Sequence, residues 1–442
     1  MNPQGPKAHV VIVGGGFAGL ACARTLAKTS DVQITLIDKN NYHQFQPLLY
    51  QLATAAIGTD DIATSFRHSL RRHANVEVKM AEVTAADPKT CTVTTREGKS
   101  YQGEFLGIAG KLLWHGRCER KCVSTLFEIQ EAQQLRSRIL TVFEDSDREP
   151  KLAEQGALNF VIVGGGPTGV EMAGSLADMF SLTMTREYTD LAVKHAQVYL
   201  IDHGHALLGA FSEEAQDYAS RVLQKKGVKL RLGTGVKEVA PDHVVLSDGT
   251  SIQTRTVIWG GGLSASPLSA SAGLPRGHGG RIDVRPDLTA DGFPGVYVLG
   301  DFANIPGPDN ESLPQLGSVA QQCGAWAAKN ILAEIAGETR TAFHYHDKGI
   351  MAMIGRNAAV AAVGKKRHEL DGPIGFAAWI GVHALLMSGV RERVEAFVDW
   401  AWNYFSRSRA IQILDRADVS RIDWAKETES EGPSSTSVQR AR

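Results

Sequence analysis

The hexapeptide Val11-Ile12-Val13-Gly14-Gly15-Gly16 returns letter for letter as Val161-Ile162-Val163-Gly164-Gly165-Gly166. Each copy runs on to a third glycine, giving Gly14-x-Gly16-x-x-Gly19 and Gly164-x-Gly166-x-x-Gly169, and each joins an apolar strand-like run to a helix-like one. No other stretch restricts the backbone as tightly. The first glycine permits a tight turn, the second lets the backbone approach a pyrophosphate, and the third lets helix and strand pack closely. The N-terminus of the following helix then faces the anion. A single such turn is weak evidence, because strand-to-helix glycines also serve packing alone. Here each copy is followed by a second strand that ends in an acid: residues 33–37 lead to Asp38, and residues 197–201 lead to Asp202 after an insertion around 183–195. A carboxylate at that position accepts from ribose hydroxyls and repels the extra phosphate of NADPH, so NADH is the expected ligand of the second unit.

A chain of 442 residues is long enough for two or three such units. Its 45 glycines exceed an average share of about 7 %, and part of the excess lies in these two turns. The formal charge of -1 provides no basic field for nucleic acid. Five scattered cysteines, Cys22, Cys91, Cys118, Cys122 and Cys323, argue against a secreted disulfide scaffold, and no histidine–cysteine cluster has metal-ligand spacing. Residues 1–8 are polar and lead straight into the first strand, with no targeting segment expected. The charge-free stretch 372–390 contains Pro373, His383 and four glycines, which makes it a poor transmembrane span.

Late in the chain Gly295-Val296-Tyr297-Val298-Leu299-Gly300-Asp301 forms a further apolar strand ending in Gly-Asp, ahead of a helix-like run at 318–336. The order of two fingerprints and then this strand resembles the two-dinucleotide-binding flavoproteins. Three motifs narrow the resemblance: Asn41-Tyr42-His43-Gln44-Phe45-Gln46-Pro47-Leu48-Leu49-Tyr50-Gln51, Gly165-Gly166-Pro167-Thr168-Gly169-Val170-Glu171, and Lys348-Gly349-Ile350-Met351-Ala352-Met353-Ile354-Gly355. With them, the chain to about Leu414 resembles the type II NADH dehydrogenases, the non-proton-pumping NADH:quinone oxidoreductases. The resemblance implies an α/β fold of two Rossmann-like domains, with FAD on the first fingerprint and NADH on the second, and a C-terminal amphipathic helical region that docks on membrane. The corresponding divisions are 1–145 and 271–365 for the FAD domain, 146–270 for the inserted NADH domain, 366–424 for the docking helices and 425–442 for a disordered tail.

The same resemblance implies site residues. FAD and NADH fall to Gly14, Gly16, Phe17, Ala18, Gly19, Asp38, Lys39, Pro47, Val83, Gly164, Gly166, Gly169, Asp202, Gly262, Asp301 and Gln322. Glu171, Gln322 and Lys348 are implied at the catalytic centre, where Glu171 positions nicotinamide or relays protons to quinone. On residue type alone Glu171 would be an ordinary carboxylate favoured by a helix N-terminus, and Lys348 a solvated strand-end lysine. The family's helix start, Ala-Gln-x-Ala-x-Gln, reads Gly317-Ser318-Val319-Ala320-Gln321-Gln322 here, so Ser318 replaces the first glutamine. The implied partners are NADH, a membrane quinone (ubiquinone or menaquinone) and the membrane surface, at the cytoplasmic face of the cell membrane. A homodimer is one arrangement the resemblance allows.

Aromatic residues gather near the C-terminus: Trp379, Phe397, Trp400, Trp402, Tyr404 and Phe405, with arginines interspersed. Val394, Phe397, Val398, Ala401 and Phe405 recur at helical spacing, which suits either a membrane surface or a packed helix pair. Glu392, Glu395 and Asp399 dilute the positive charge there. Residues 112–122 break the family pattern, as a compensated frameshift would. They contain Cys118 and Cys122, and so bring in two other readings: a sulfide:quinone oxidoreductase with redox cysteines, and an NADH-sensing flavoprotein with little turnover.

Overall fold

The computed structural model describes residues 7–110, 112–113, 123–188, 193–261, 264–265, 268, 271–307, 311–364, 367–387, 389–406, 409 and 412–414. Valine and isoleucine occupy both faces of the fingerprint strands, as strands covered by helices on two sides require. Strand Ala8–Val13 lies inside a six-stranded sheet in the order Thr289–Ala290, Phe293–Val298, Phe105–Ile108, Ala8–Val13, Val32–Asp38, Val76–Met80. All its pairs are parallel except the first. Strand Asn159–Val163 holds the same place in a parallel five-stranded sheet: Val123–Thr125, Thr256–Trp259, Asn159–Val163, Gln197–Asp202, Lys229–Leu232.

The register repeats as well. Val13 pairs with Ile37 and Ile108, and Val163 pairs with Ile201 and Trp259. Each unit inserts an antiparallel three-stranded meander two sheet strands after its fingerprint strand, Val83–Asp87, Thr92–Thr95 and Ser100–Gln102 in one and Val236–Val239, His243–Leu246 and Ser251–Gln253 in the other. The second sheet is complete before Phe293–Val298 returns to the first, so the first unit is built from two chain segments. Leu112–Leu113 and Ser264–Ala265 pair antiparallel where the outgoing and returning chains pass. The second sheet takes in Val123–Thr125, ahead of the span 146–270.

A smaller antiparallel sheet, Gly349–Gly355, Ala358–Val363 and His368–Leu370, lies between the second fingerprint helix Pro167–Met179 and the inner C-terminal helix Gly372–Leu386. Gly174 sets that contact: a Cβ there would stand 2.1 Å from the carbonyl oxygen of Ile354, so only glycine lets helix and strand backbones lie this close.

The two C-terminal helices divide their aromatics in a way the sequence does not show. Trp379 of the inner helix is 0 % exposed, and Trp400 of the outer helix Val390–Ser406 is also buried. Trp400 donates its indole N–H to Gln51 Oε1 at 2.7 Å. These two are therefore core residues, and each such burial corresponds to roughly 4–6 kcal/mol of transfer free energy. Val394, Phe397, Val398, Trp402 and Phe405 point outward, with Trp402 61 % and Phe405 82 % exposed. Among the described residues no helix is long and apolar enough to cross a membrane.

Candidate functional site

The two fingerprint loops have the same backbone. Gly14 and Gly164 adopt φ values of 89° and 111°, in the region that favours glycine. A Cβ on Gly19 or Gly169 would come 1.8 Å from the carbonyl oxygen of Gly14 or Gly164 respectively, so these glycines seat helix against loop. At Gly16 and Gly166, by contrast, a Cβ would meet nothing within 4 Å. The chain itself does not need glycine there, and the open space is where a pyrophosphate would approach. Asp38 accepts from the backbone N–H groups of Gly15 and Asn40, both at 2.7 Å. Asp202 accepts from Gly165 at 2.5 Å and Gly204 at 2.6 Å. Both acids are thereby fixed at the end of their strands, beside the loop.

A cavity of about 1840 Å³ runs along the first fingerprint and ends between the two units. A pocket for one ligand is typically about 300–1,000 Å³, so this space admits a flavin and a second reactant together. Gly14, Gly16, Phe17, Ala18, Asp38, Lys39, Pro47, Val83 and Asp301 all line it. Lys39 is paired with Glu128. Burial raises the pKa of Asp301, and the nearby charge of Arg281 opposes that shift. Pro167 and Thr168, at the start of the second fingerprint helix, reach the same cavity, while Gly164, Gly166, Gly169 and Asp202 stand away from its walls. The second fingerprint thus presents only its inner end to the shared space. These features fit FAD on the first loop and NADH on the second.

Glu171 projects into this cavity from the second turn of its helix. Because Gly174 holds the helix against strand Gly349–Gly355, Glu171 Oε1 accepts from the backbone N–H of Met353 at 3.2 Å. It also accepts from the indole N–H of Trp379 at 3.3 Å. Burial pushes its pKa up to about 8, and these two donors oppose the shift without cancelling it. The helix-terminus reading of Glu171 gives way to a buried acid that holds its proton near neutral pH. Lys348, just before that strand, also lines the cavity.

Gln322 requires a correction. Its side-chain amide forms a closed pair with the backbone of His346, donating to the carbonyl oxygen and accepting from the N–H, both at 3.0 Å. It does not line the cavity; Gln321 and Ser318 do. On helix Gly317–Ile335 one position turns a side chain by about 100°, so the two adjacent glutamines face different surroundings. Ser318 contacts the hydroxyl of Tyr345 at 2.9 Å, and Tyr345 also lines the cavity, so a phenol stands beside the position of the missing glutamine. Gly262, Cys118 and Cys122 lie outside the described residues. Trp379 and His383 are the residues at this site that sequence reasoning missed, since it assigned this stretch to the docking region. Among the described residues no cysteine lines the cavity and no cluster is placed to hold a metal ion. Burial pushes the thiols of Cys22 and Cys323 up to about 12, which keeps them protonated and unreactive.

Residues 8–324 match the pyridine nucleotide-disulphide oxidoreductase family. The chain is 34 % identical over 438 residues to the type II NADH:quinone oxidoreductase Ndh of Mycobacterium tuberculosis, covering 95 % of this chain and 93 % of that protein. It belongs to the type II NADH:quinone oxidoreductases. A solved structure of NDH2 from Plasmodium falciparum in complex with NADH superposes with a TM-score of 0.83 at 18 % identity, covering 90 % of this chain and 98 % of that one. The sulfide:quinone oxidoreductase of Aquifex aeolicus shares the fold less closely, with a TM-score of 0.69 at 19 % identity over 90 % and 95 % of the two chains. Type II membership favours NADH over sulfide as the electron donor. FAD and NADH are the cofactors of this type II enzyme.

Proposed function

We propose that the reaction of this family, electron transfer from NADH through FAD to a quinone, runs through the cavity that lies along the first fingerprint and reaches the start of the second fingerprint's helix, with Glu171 as its proton donor. The observation that carries this reading is the setting of Glu171: a buried acid, held by Met353 and Trp379, on the wall where the two nucleotide units meet. FAD, when bound, supplies a carrier that takes two electrons as hydride and passes both on. Asp38 and Asp301 hold it at its two ends, and Asp202 takes the ribose of NADH. Glu171, protonated at neutral pH, gives its proton to a quinone oxygen as electrons arrive. Lys348 adds positive charge for the oxyanion that would otherwise develop.

The quinone approaches along the inner C-terminal helix, whose Val382 and Leu386 line the cavity and are also partly exposed. Leu385 of the same helix and Phe397, Trp402 and Phe405 of the outer helix are exposed apolar side chains as well. We assign these side chains to peripheral membrane attachment at the cytoplasmic face, with the helices lying in the interface. A second copy of the chain could cover the same side chains, but the membrane is favoured because Leu385 lies on the helix along which the quinone approaches.

The test is steady-state reduction of a short-chain quinone by the purified FAD-loaded protein, with NADH or sulfide as donor. Turnover with NADH and none with sulfide supports the proposal. Rapid reduction of the flavin by NADH without onward transfer to quinone would instead indicate a sensor.

A further inference from the structure

Trp379 ties together two groups on the cavity wall. Its indole N–H holds Glu171, and its carbonyl oxygen lies 2.8 Å from Nδ1 of His383, one turn further along the inner helix. A carbonyl only accepts, so Nδ1 must carry the hydrogen, and Nε2 is left as a lone-pair acceptor. The imidazole is stacked on the Trp379 ring, with centroids 4.0 Å apart and planes inclined at 22°, and Phe45 meets it edge-on at 6.2 Å. The ring plane is therefore fixed. His383 lines the cavity with Val382 and Leu386, and among the described residues its ring makes its hydrogen bond at Nδ1.

We propose that His383 is the acceptor that recognises the reduced product, its Nε2 taking the O–H of a hydroquinone in the cavity that Glu171 faces as donor. The proposal rests on the quinone reading above and deepens it. A quinone oxygen can only accept, so it gains from the acid of Glu171 and nothing from a neutral Nε2. After two electrons and two protons have been added, the oxygens carry O–H groups, and one of them can donate to His383. One of those hydrogens is Glu171's proton, which solvent replaces, and the other is the hydrogen that NADH gave up as hydride; His383 exchanges none. Burial lowers the imidazole pKa to about 4, with the Trp379 carbonyl opposing the shift, which keeps the ring neutral at working pH. The pair thus offers a donor to the substrate and an acceptor to the product.

Anaerobic calorimetric titration of the NADH-reduced holoenzyme tests this, using a short-chain benzohydroquinone and its dimethyl ether, which lacks the donor hydrogens. The wild type should bind the hydroquinone roughly 3- to 10-fold more tightly than the ether, the range of one hydrogen bond. His383→Asn keeps an N–H for the Trp379 carbonyl but removes the acceptor, and should abolish the preference at unchanged FAD content. His383→Gln places an amide oxygen near the position of Nε2 and should restore it. An undiminished preference in His383→Asn would overturn the proposal. A wild type that reduces quinone yet binds the two compounds alike would overturn it without touching the quinone reading and needs no variant. A wild type that neither binds the compounds nor reduces quinone would overturn both.

Discussion

Replacing Glu171 with glutamine separates the proton of this side chain from its shape. The amide oxygen can still accept from Met353 and Trp379 as Oε1 does, but nothing at that position then ionises. With a pKa of about 8, the carboxyl is about nine-tenths protonated at pH 7 and about one-tenth at pH 9. If it is the proton donor, quinone reduction by the wild type falls about tenfold between those two pH values. Glu171→Gln should be slower at pH 7, on the order of 10²-fold if solvent cannot replace the acid, and should lack that fall. Stability gives an independent reading of the same group. The folded pKa lies above the ordinary 4.5, so the folded state binds the proton more tightly. That contribution is whole below about pH 4.5 and is lost as pH rises through 8. The loss amounts to roughly 3 kcal/mol by pH 7 and levels off near 4–5 kcal/mol above pH 8. Urea unfolding of the holoenzyme at pH 5, 7 and 9, beside the pH–rate profile for a short-chain quinone, measures both effects. A glutamine variant that keeps the wild-type profile would show that the titrating group lies elsewhere.

Trp379→Phe removes a donor that favours the ionised form of Glu171. The midpoint of the pH–rate profile should therefore move to higher pH, and a move the other way would contradict the assignment. Asp202→Ser should raise KM for NADH roughly 10- to 100-fold, the range for lost charge-assisted bonds, and narrow the gap to NADPH; an unaltered NADH to NADPH ratio counts against the ribose role. Phe397→Glu and Phe405→Glu each remove about 1.5–3 kcal/mol of apolar burial in lipid. Binding to phosphatidylcholine vesicles in a flotation assay should weaken at least about tenfold for each, whereas unchanged flotation argues that these side chains cover something else. Asp61, at the contact with the outer helix, is raised to about 7 by burial and by Asp399 and Glu395 facing it. Its stabilising proton is lost as pH rises through 7, so Asp61→Asn should flatten the stability profile between pH 5 and 8 in thermal melts.

The two nucleotide units were legible because the fingerprint is a backbone constraint. Gly19 and Gly169 are fixed by contacts with Gly14 and Gly164 in the same loop, Gly14 and Gly164 by their positive φ, and the acids that follow end the neighbouring strands. Asp301 was legible by its order in the chain. The division of the C-terminal aromatics was not, because Trp379 and Trp402 are the same residue type on the same kind of helix. Which of them meets core is decided by the small sheet Gly349–Gly355 to His368–Leu370, and no periodicity within the helices encodes that. Gln322 illustrates the same limit at one residue: the choice between Gln321 and Gln322 depends on helix phase, and the partner that takes Gln322 is a backbone segment around His346. Glu171 could be named from the family motif, but its raised pKa comes from burial in the folded chain, which the motif does not encode.

The most direct measurement is the flavin spectrum of the purified protein, titrated anaerobically with NADH and then with a short-chain quinone. If the cavity serves both half-reactions, NADH bleaches the flavin at one equivalent per FAD and the quinone restores the oxidised spectrum within the turnover time. A flavin that NADH bleaches but quinone fails to restore, or that NADH fails to bleach at all, would contradict the account.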